Sequence, residues 1–395
     1  MKHTIFICKA LVLSILLGAC SGSQQQHLEE IISNTKHHYV PDTRVNEFTV
    51  EISKKSPLTL TGETTLAEAK QALLDTLSSQ GIEVVDEIRL LPTEEIGDKK
   101  YALVNNSVSN LRSSPQHSAQ LATQALLGMP LQVLKKDGGW YYVRTPEDYL
   151  AWVDAGGIER VSEPELDAWS NTEKIIFTET YGFSYREPSS AAQKISDLAT
   201  GNILEMTGTS GNFYHVSYPD GRTAYVRKSE AQPLDEWNQN LEATQKALVE
   251  TSYEMMGIPY LWGGTSTKGV DCSGFTKTVY LMNGLIIPRD ASQQVHAGKL
   301  IDSQKNWENL EPGDLLFFGS EATETSSRRV VHVGMWIGNN EFIHSSRQVR
   351  ISSVDPNAPN YDEYNTGRYL EARRYIGNNS GNIIRTGDMY EDIKF

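Results

Sequence analysis

One cysteine in this chain stands where a thiol could act as a nucleophile. The stretch Tyr260-Leu-Trp-Gly-Gly-Thr-Ser-Thr-Lys-Gly-Val-Asp-Cys-Ser-Gly-Phe275 places Cys272 behind a glycine-rich loop, at the start of a helical pattern. Asp271 is a residue type that caps helices, and Phe275, Val279 and Met282 recur at helical spacing. A thiol at a helix N-terminus feels the positive end of the macrodipole, which favours the thiolate. Cys8 and Cys20 both fall in an export signal, so Cys272 is left with no intramolecular disulfide partner.

A nucleophilic thiol needs a base within hydrogen-bond reach and a third group to orient that base. Downstream runs Val330-Val-His-Val-Gly-Met-Trp-Ile-Gly-Asn-Asn-Glu-Phe-Ile-His344, two alternating apolar runs around the turn signal Gly338-Asn339-Asn340. A three-residue loop centred on Gly338 would set His332 directly opposite His344, about 5 Å apart at Cβ. A four-residue turn would make them a diagonal pair. The bland alternative is two structural histidines in a hairpin. A zinc site from Cys272 and these histidines is a further alternative, but it lacks a fourth ligand at recognisable spacing.

The elements that must position these groups lie in the last third of the chain. A helix is expected over 238–250, leading into a catalytic domain over 238–378, with a polar tail from Asn378 expected to fray. Upstream is an internal duplication. At a shift of 73 residues, Trp140-Tyr-Tyr-Val143 meets Phe213-Tyr-His-Val216 and Ala151-Trp-Val153 meets Ala224-Tyr-Val226. Leu111-Arg112 and Tyr185-Arg186 match with a one-residue slip. Short aromatic and β-branched runs between Gly, Pro and Asp turns suit two small β-barrels, over 101–162 and 172–235. Tyr149 breaks the repeat, facing Arg222. Residues 27–100 form an α/β segment in which Leu66, Ala69, Leu73 and Leu77 share one helical face closed by Gly81, with no evident chemistry.

The N-terminus carries Lys2 and Lys9, an apolar run from Ala10 to Leu17, and Leu17-Gly-Ala-Cys20. That pattern resembles a lipoprotein signal over 1–20, in which Cys20 is acylated and becomes the new N-terminus. The apolar run is too short for a permanent membrane span. A formal charge of −14 argues against nucleic acid or bare anionic lipid as a partner. At 395 residues, two to four domains are expected.

Taken together, Tyr-x-Trp-Gly-Gly-x-Ser, Asp-Cys-Ser-Gly-Phe, His-Val-Gly and Phe-Ile-His resemble the NlpC-type cell-wall cysteine peptidases, over roughly the last 140 residues. The two repeats resemble bacterial SH3-like barrels, which narrows the likeness to γ-D-glutamyl-L-diamino-acid endopeptidases. The resemblance implies an α+β architecture, with a papain-like domain preceded by two SH3-like barrels and the N-terminal α/β segment. It implies Cys272 as nucleophile, His332 as base, His344 as its orienting group, and Tyr260 with the Cys272 N–H at the oxyanion. It also implies that Trp262, Asp271 and Ser273 shape the substrate groove.

Asp290, in Pro288-Arg-Asp290, is the implied contact to the peptide, and a helix cap is an equal reading of it. Tyr149 is the best match for a tyrosine that recognises a free N-terminal L-alanine. No glutamate for the amine is assignable, and Gln120 sits near its place. The implied substrates are peptidoglycan-derived peptides, with no cofactor, because an acyl enzyme needs only thiol, base and oxyanion hole. The implied location is the cell envelope, on a membrane through the Cys20 anchor and facing the periplasm. A general endopeptidase of intact peptidoglycan, a non-catalytic wall-binding lipoprotein, and an acyltransferase or amidase on the same scaffold remain as rivals.

Overall fold

The computed structural model describes residues 25–53, 57–241, 243–378 and 383–393; Cys20 and the expected signal over 1–20 lie outside them. The chain forms two compact units, Met1–Glu94 and Glu95–Phe395. In the first, a helix over 25–39 and the helix Ala67–Ser79 bury Leu28, Ile31, Ala69, Leu73 and Leu77 against Leu60 and Ile88. Its three-stranded sheet runs Phe48–Ile52, Thr59–Thr64, Val85–Leu90, the first pair antiparallel and the second parallel.

The second unit begins with two seven-stranded antiparallel sheets built from the duplication. Tyr101–Val104 corresponds to Lys174–Phe177, Pro130–Asp137 to Ile203–Ser210, and Leu150–Asp154 to Thr223–Arg227, always at an offset of 73. The bulges recur at the same offset, Val133/Lys135 in one sheet and Met206/Gly208 in the other. The one-residue slip expected at Leu111-Arg112 is absent. Val108–Arg112 aligns with Tyr181–Tyr185, so Leu111 corresponds to Ser184. Similar side-chain types one place apart had suggested a slip that the backbone does not make.

A six-stranded antiparallel sheet then carries the remaining core. Its order is Lys299–Asp302, Tyr369–Arg374, Leu315–Ser320, Arg329–Gly338, Glu341–Ser346, Gln348–Ser353. The helix Cys272–Leu281 lies on this sheet, burying Phe275 and Val279 against Leu315, Phe317, Val333, Met335 and Ile343. The whole is α+β. The helix expected over 238–250 is two helices, Leu234–Asn240 and Gln245–Glu254. Leu241 is extended between them, and Thr244 caps the second by accepting from the Ala247 N–H.

Over its described residues, 383–393, the tail is built into the fold. Ile384–Arg385 pairs with Leu285–Ile286, and Met389, Tyr390 and Ile393 bury into the core of the first barrel. Apolar residues spaced one and four apart give even this short helix a buried face.

Candidate active site

Asp271 fixes the start of the helix that carries Cys272. Its Oδ1 accepts from the Gly274 N–H at 2.7 Å, and its Oδ2 accepts from the Gly263 N–H at 2.9 Å. Gly274 has to be small, since a Cβ there would lie 1.9 Å from the Gly264 carbonyl oxygen. The glycine loop is therefore folded back on the first turn of the helix and holds Cys272 at its tip. Cys272 is the free cysteine among the described residues, and it is buried.

The histidines come from neighbouring strands, though not directly opposite one another. A two-residue turn at Asn339 and Asn340, both left-handed, pairs Gly338 with Glu341, and a bulge between Trp336 and Gly338 then shifts the register so that Trp336 pairs with Phe342 and Met335 with Ile343. That register makes His332 and His344 diagonal neighbours rather than the direct pair of a three-residue loop. Gly334 falls opposite His344, where a Cβ would come within 3.2 Å of the His344 Cβ. The missing side chain leaves room for the rings to meet, and His332 Nε2 lies 2.7 Å from His344 Nδ1. His344 Nε2 reaches Ser352 Oγ at 3.0 Å, and Asp362 Oδ2 stands 3.8 Å away. Neither Ser352 nor Asp362 is marked by any sequence motif.

Charge in this row is suppressed. Burial holds His332 well below the usual imidazole range, helped by His344 and Arg368. Burial, Arg350 and Arg368 bring His344 down to about 3. Burial and then Asp271 push the Cys272 thiol up to about 12, against the Val333 and Ser273 backbone N–H groups that favour thiolate. The helix start alone predicts a thiolate, but at rest desolvation and the neighbouring carboxylate outweigh it. Both shifts favour the neutral forms, thiol at Cys272 and imidazole at His332.

Two neutral histidines fix each other's tautomers. If His332 keeps Nδ1 bare as a base, its Nε2–H donates to His344 Nδ1, and His344 Nε2–H donates to Ser352 Oγ. The Val333 N–H reaches the Cys272 sulfur from the residue after His332, which brings that strand to the thiol. Tyr260 lies near enough for the charges of Cys272 and Asp271, after burial, to raise its hydroxyl above the usual range. It remains a donor. Among the described residues no group of three or more His, Cys, Asp and Glu is placed to hold a metal.

The groove residues divide by burial. Trp262 projects into solvent at 62% exposure, with Tyr260, Leu261 and Val331 also exposed. Asp271 and Ser273 are instead consumed internally. Arg289, fully buried, donates to Asp271 Oδ2 at 2.6 Å, to Ser273 Oγ at 3.0 Å and to Thr123 Oγ1 of the first barrel at 3.0 Å. Sequence reasoning passed over Arg289, although it adjoins Asp290.

Gln124 of the same barrel was also missed. Its Oε1 accepts from the Thr265 N–H at 3.0 Å and Ser266 Oγ at 2.9 Å, which ties the barrel to the glycine loop. Asp290 caps the short helix Ala291–Gln294 and also accepts from the Tyr149 hydroxyl at 3.2 Å. The cap and cleft readings of Asp290 are thus compatible. Gln120 is exposed.

A free thiol at the head of a helix packed on an antiparallel sheet that carries paired histidines is the arrangement of an α+β thiol-hydrolase class. The comparisons with known proteins specify it. Residues 257–374 match the NlpC/P60 family, and residues 111–158 match the bacterial dipeptidyl-peptidase SH3 domain. The chain is 32% identical over 266 residues to a gamma-D-glutamyl-L-lysine dipeptidyl-peptidase of Bacillus cereus, covering 65% of this chain and 76% of that one. It is 28% identical to dipeptidyl-peptidase 6 of Lysinibacillus sphaericus, covering 66% of this chain and 94% of that one. A solved NlpC/P60 family protein of Bacillus cereus superposes with a TM-score of 0.59 at 28% identity, over 70% of this chain and 99% of that one. The chain belongs to the NlpC/P60 family.

Proposed function

We propose that this protein is a cysteine peptidase that cleaves the bond between γ-D-glutamate and the diamino acid of peptidoglycan stem peptides bearing a free N-terminal L-alanine. The observation that carries the reading is the hydrogen-bonded row His332–His344–Ser352, on the strand whose Val333 N–H reaches the Cys272 sulfur, with Tyr149 of the first barrel donating to Asp290. The names of the Bacillus and Lysinibacillus relatives support the substrate class.

With thiol and imidazole both shifted toward their neutral forms, proton transfer accompanies attack. His332 Nδ1 takes the Cys272 proton as sulfur bonds to the γ-carbonyl carbon of D-glutamate, and the oxygen takes the electron pair. The imidazolium is held by its Nε2–H bond to His344. The Cys272 backbone N–H and the Tyr260 hydroxyl donate to the oxyanion. Collapse breaks the C–N bond, the amine leaves with the His332 proton, and a thioester remains. Water, deprotonated by His332, attacks the thioester, releasing L-Ala-D-Glu and returning the proton to sulfur.

Arg289 positions the site through Asp271 and Ser273, and Trp262 offers an exposed wall for the peptide. The diamino acid is lysine or diaminopimelate. The Cys20 motif supports a lipid anchor on a bacterial membrane facing the periplasm, where the enzyme would act on stem peptides released during wall recycling.

The test is mass spectrometry of L-Ala-γ-D-Glu-L-Lys and its diaminopimelate counterpart after incubation with residues 21–395. Release of the L-Ala-D-Glu dipeptide, blocked when iodoacetamide modifies Cys272, is the expected result. Cleavage elsewhere, or activity that survives full alkylation of Cys272, overturns the reading. Incorporation of labelled palmitate that disappears in Cys20→Ser tests the anchor.

A further inference from the structure

The nucleophile helix carries a second buried functional group that the chemistry does not use. Lys277 lies five residues beyond Cys272, with its Nζ 3.2 Å from Glu147 Oε1 of the first barrel. Their side chains are only 6% and 4% exposed. Burying two charges costs desolvation that their attraction only partly repays, so what such a pair yields is geometry more than stability.

Glu147 sits in the turn that presents Tyr149. In that turn the Asp148 N–H donates to the Thr145 carbonyl at 2.9 Å, and the Tyr149 N–H donates to Thr145 Oγ1 at 3.1 Å. Asp148 takes a left-handed φ of 67°, an uncommon conformation for a residue with a side chain. The second barrel builds the same turn differently. Gly221, the counterpart of Asp148, supplies the left-handed position at φ 83°. Asp220, the counterpart of Glu147, binds Arg222 within its own turn at 2.7 Å. Only in the first barrel does the turn reach into the catalytic domain, at Lys277 through Glu147 and at Asp290 through Tyr149.

We propose that Lys277 and Glu147 are positioning residues for substrate selectivity: their buried ion pair fixes the turn so that Tyr149 stands at the closed end of the cleft. The proposal rests on the end-stop reading of Tyr149 given above. Loss of the pair frees the turn without undocking the barrel, because Gln124 still binds Thr265 and Ser266, and Thr123 still binds Arg289. The chemistry at Cys272 then continues while recognition of the peptide's N-terminus weakens.

The experiment compares kcat/KM for L-Ala-γ-D-Glu-L-Lys and for its N-acetyl derivative. The proteins are wild type, Glu147→Gln, Lys277→Arg and the double variant Lys277→Met/Glu147→Leu. Folding is followed by circular dichroism, and the double variant, which leaves no unpaired buried charge, carries the test if Glu147→Gln does not fold. Glu147→Gln and the double variant should lose about tenfold in preference for the free peptide, through KM rather than kcat. Lys277→Arg should keep the preference, and iodoacetamide should label Cys272 at the wild-type rate throughout.

Folded variants that keep the wild-type preference, or that lose kcat equally on both peptides, overturn the proposal. A wild-type enzyme that does not distinguish the two peptides overturns the end-stop reading on which it rests.

Discussion

The two barrels are built from one strand plan at a constant offset of 73 residues, yet their equivalent turns face different neighbours. In the first, Glu147 and Tyr149 reach Lys277 and Asp290 of the catalytic domain. In the second, Arg222 donates to the Asn105 carbonyl of the first barrel at 2.8 Å and lies over Tyr218. Duplication kept the backbone and changed three consecutive side chains. A domain can thus come to shape a neighbour's active site without any change of fold. On the proposed function, the chemistry stays in the papain-like domain and the first barrel adds the end of the cleft.

That division of labour can be broken most sharply at the nucleophile. Cys272→Ala should abolish hydrolysis, by about three orders of magnitude or more, while circular dichroism shows both barrels intact. His332→Ala should be nearly as damaging. His344→Ala should be milder, because water can take its place as the partner of His332. Steady-state rates on free stem peptide measure all three, and substantial turnover by Cys272→Ala would move the chemistry elsewhere.

Exchanging the divergent residue tests the barrels against each other. Tyr149→Arg, which gives the first turn its counterpart's side chain, should lower kcat/KM on free peptide about tenfold, as expected for about 1–2 kcal/mol of lost hydrogen bonding. Arg222→Tyr should leave that value unchanged. Equal effects of the two substitutions would erase the distinction between the turns.

The pH profile should show that the chemistry is indifferent to both barrels. His332 is held neutral by burial, His344 and Arg368, so it remains a base well below the usual imidazole pKa of about 6.5. Because Cys272 is pushed up to about 12, the neutral pair persists far above that as well. The profile of kcat/KM should therefore be level through neutrality, with its acid limb displaced downward, in wild type and Tyr149→Arg alike. An inflection near pH 6.5 would contradict the burial argument.

Unfolding exposes both histidines, which then take up protons. Their contribution to stability should be present above about pH 6.5 and be lost as pH falls toward the folded value of about 3 for His344.

The smallest expected effect concerns backbone alone. Gly221→Ala forces a side chain into the left-handed region, where nothing crowds a Cβ, and should cost the second barrel about 1 kcal/mol with no change in rate. Urea unfolding measures it. Asp148 already bears that conformation in the first barrel.

What the sequence made legible was local. Phe275 and Val279 at helical spacing, the Asp271 cap and the Asn339-Asn340 turn each follow from a few neighbouring residues. His332 and His344 could be paired, but their register depended on whether Gly338 belongs to the loop or to the strand. Arg289 with Thr123, Gln124 with Thr265, and Ser352 behind His344 join segments far apart in the chain or beyond any motif, so no periodicity announces them. The shift of the Cys272 thiol toward its neutral form was hidden for a related reason. A helix terminus is visible in sequence, whereas the burial that pushes the thiol up is a property of the assembled fold.

The measurement closest to the central claim is the kinetic comparison of L-Ala-γ-D-Glu-L-Lys with its N-acetylated form on wild-type enzyme, with products identified by mass spectrometry. Cleavage after γ-D-glutamate, fast on the free peptide and at least about tenfold slower on the acylated one, is the result expected if the first barrel closes the cleft against a free N-terminus. Equal rates on both peptides would contradict that account and leave a general endopeptidase of the wall.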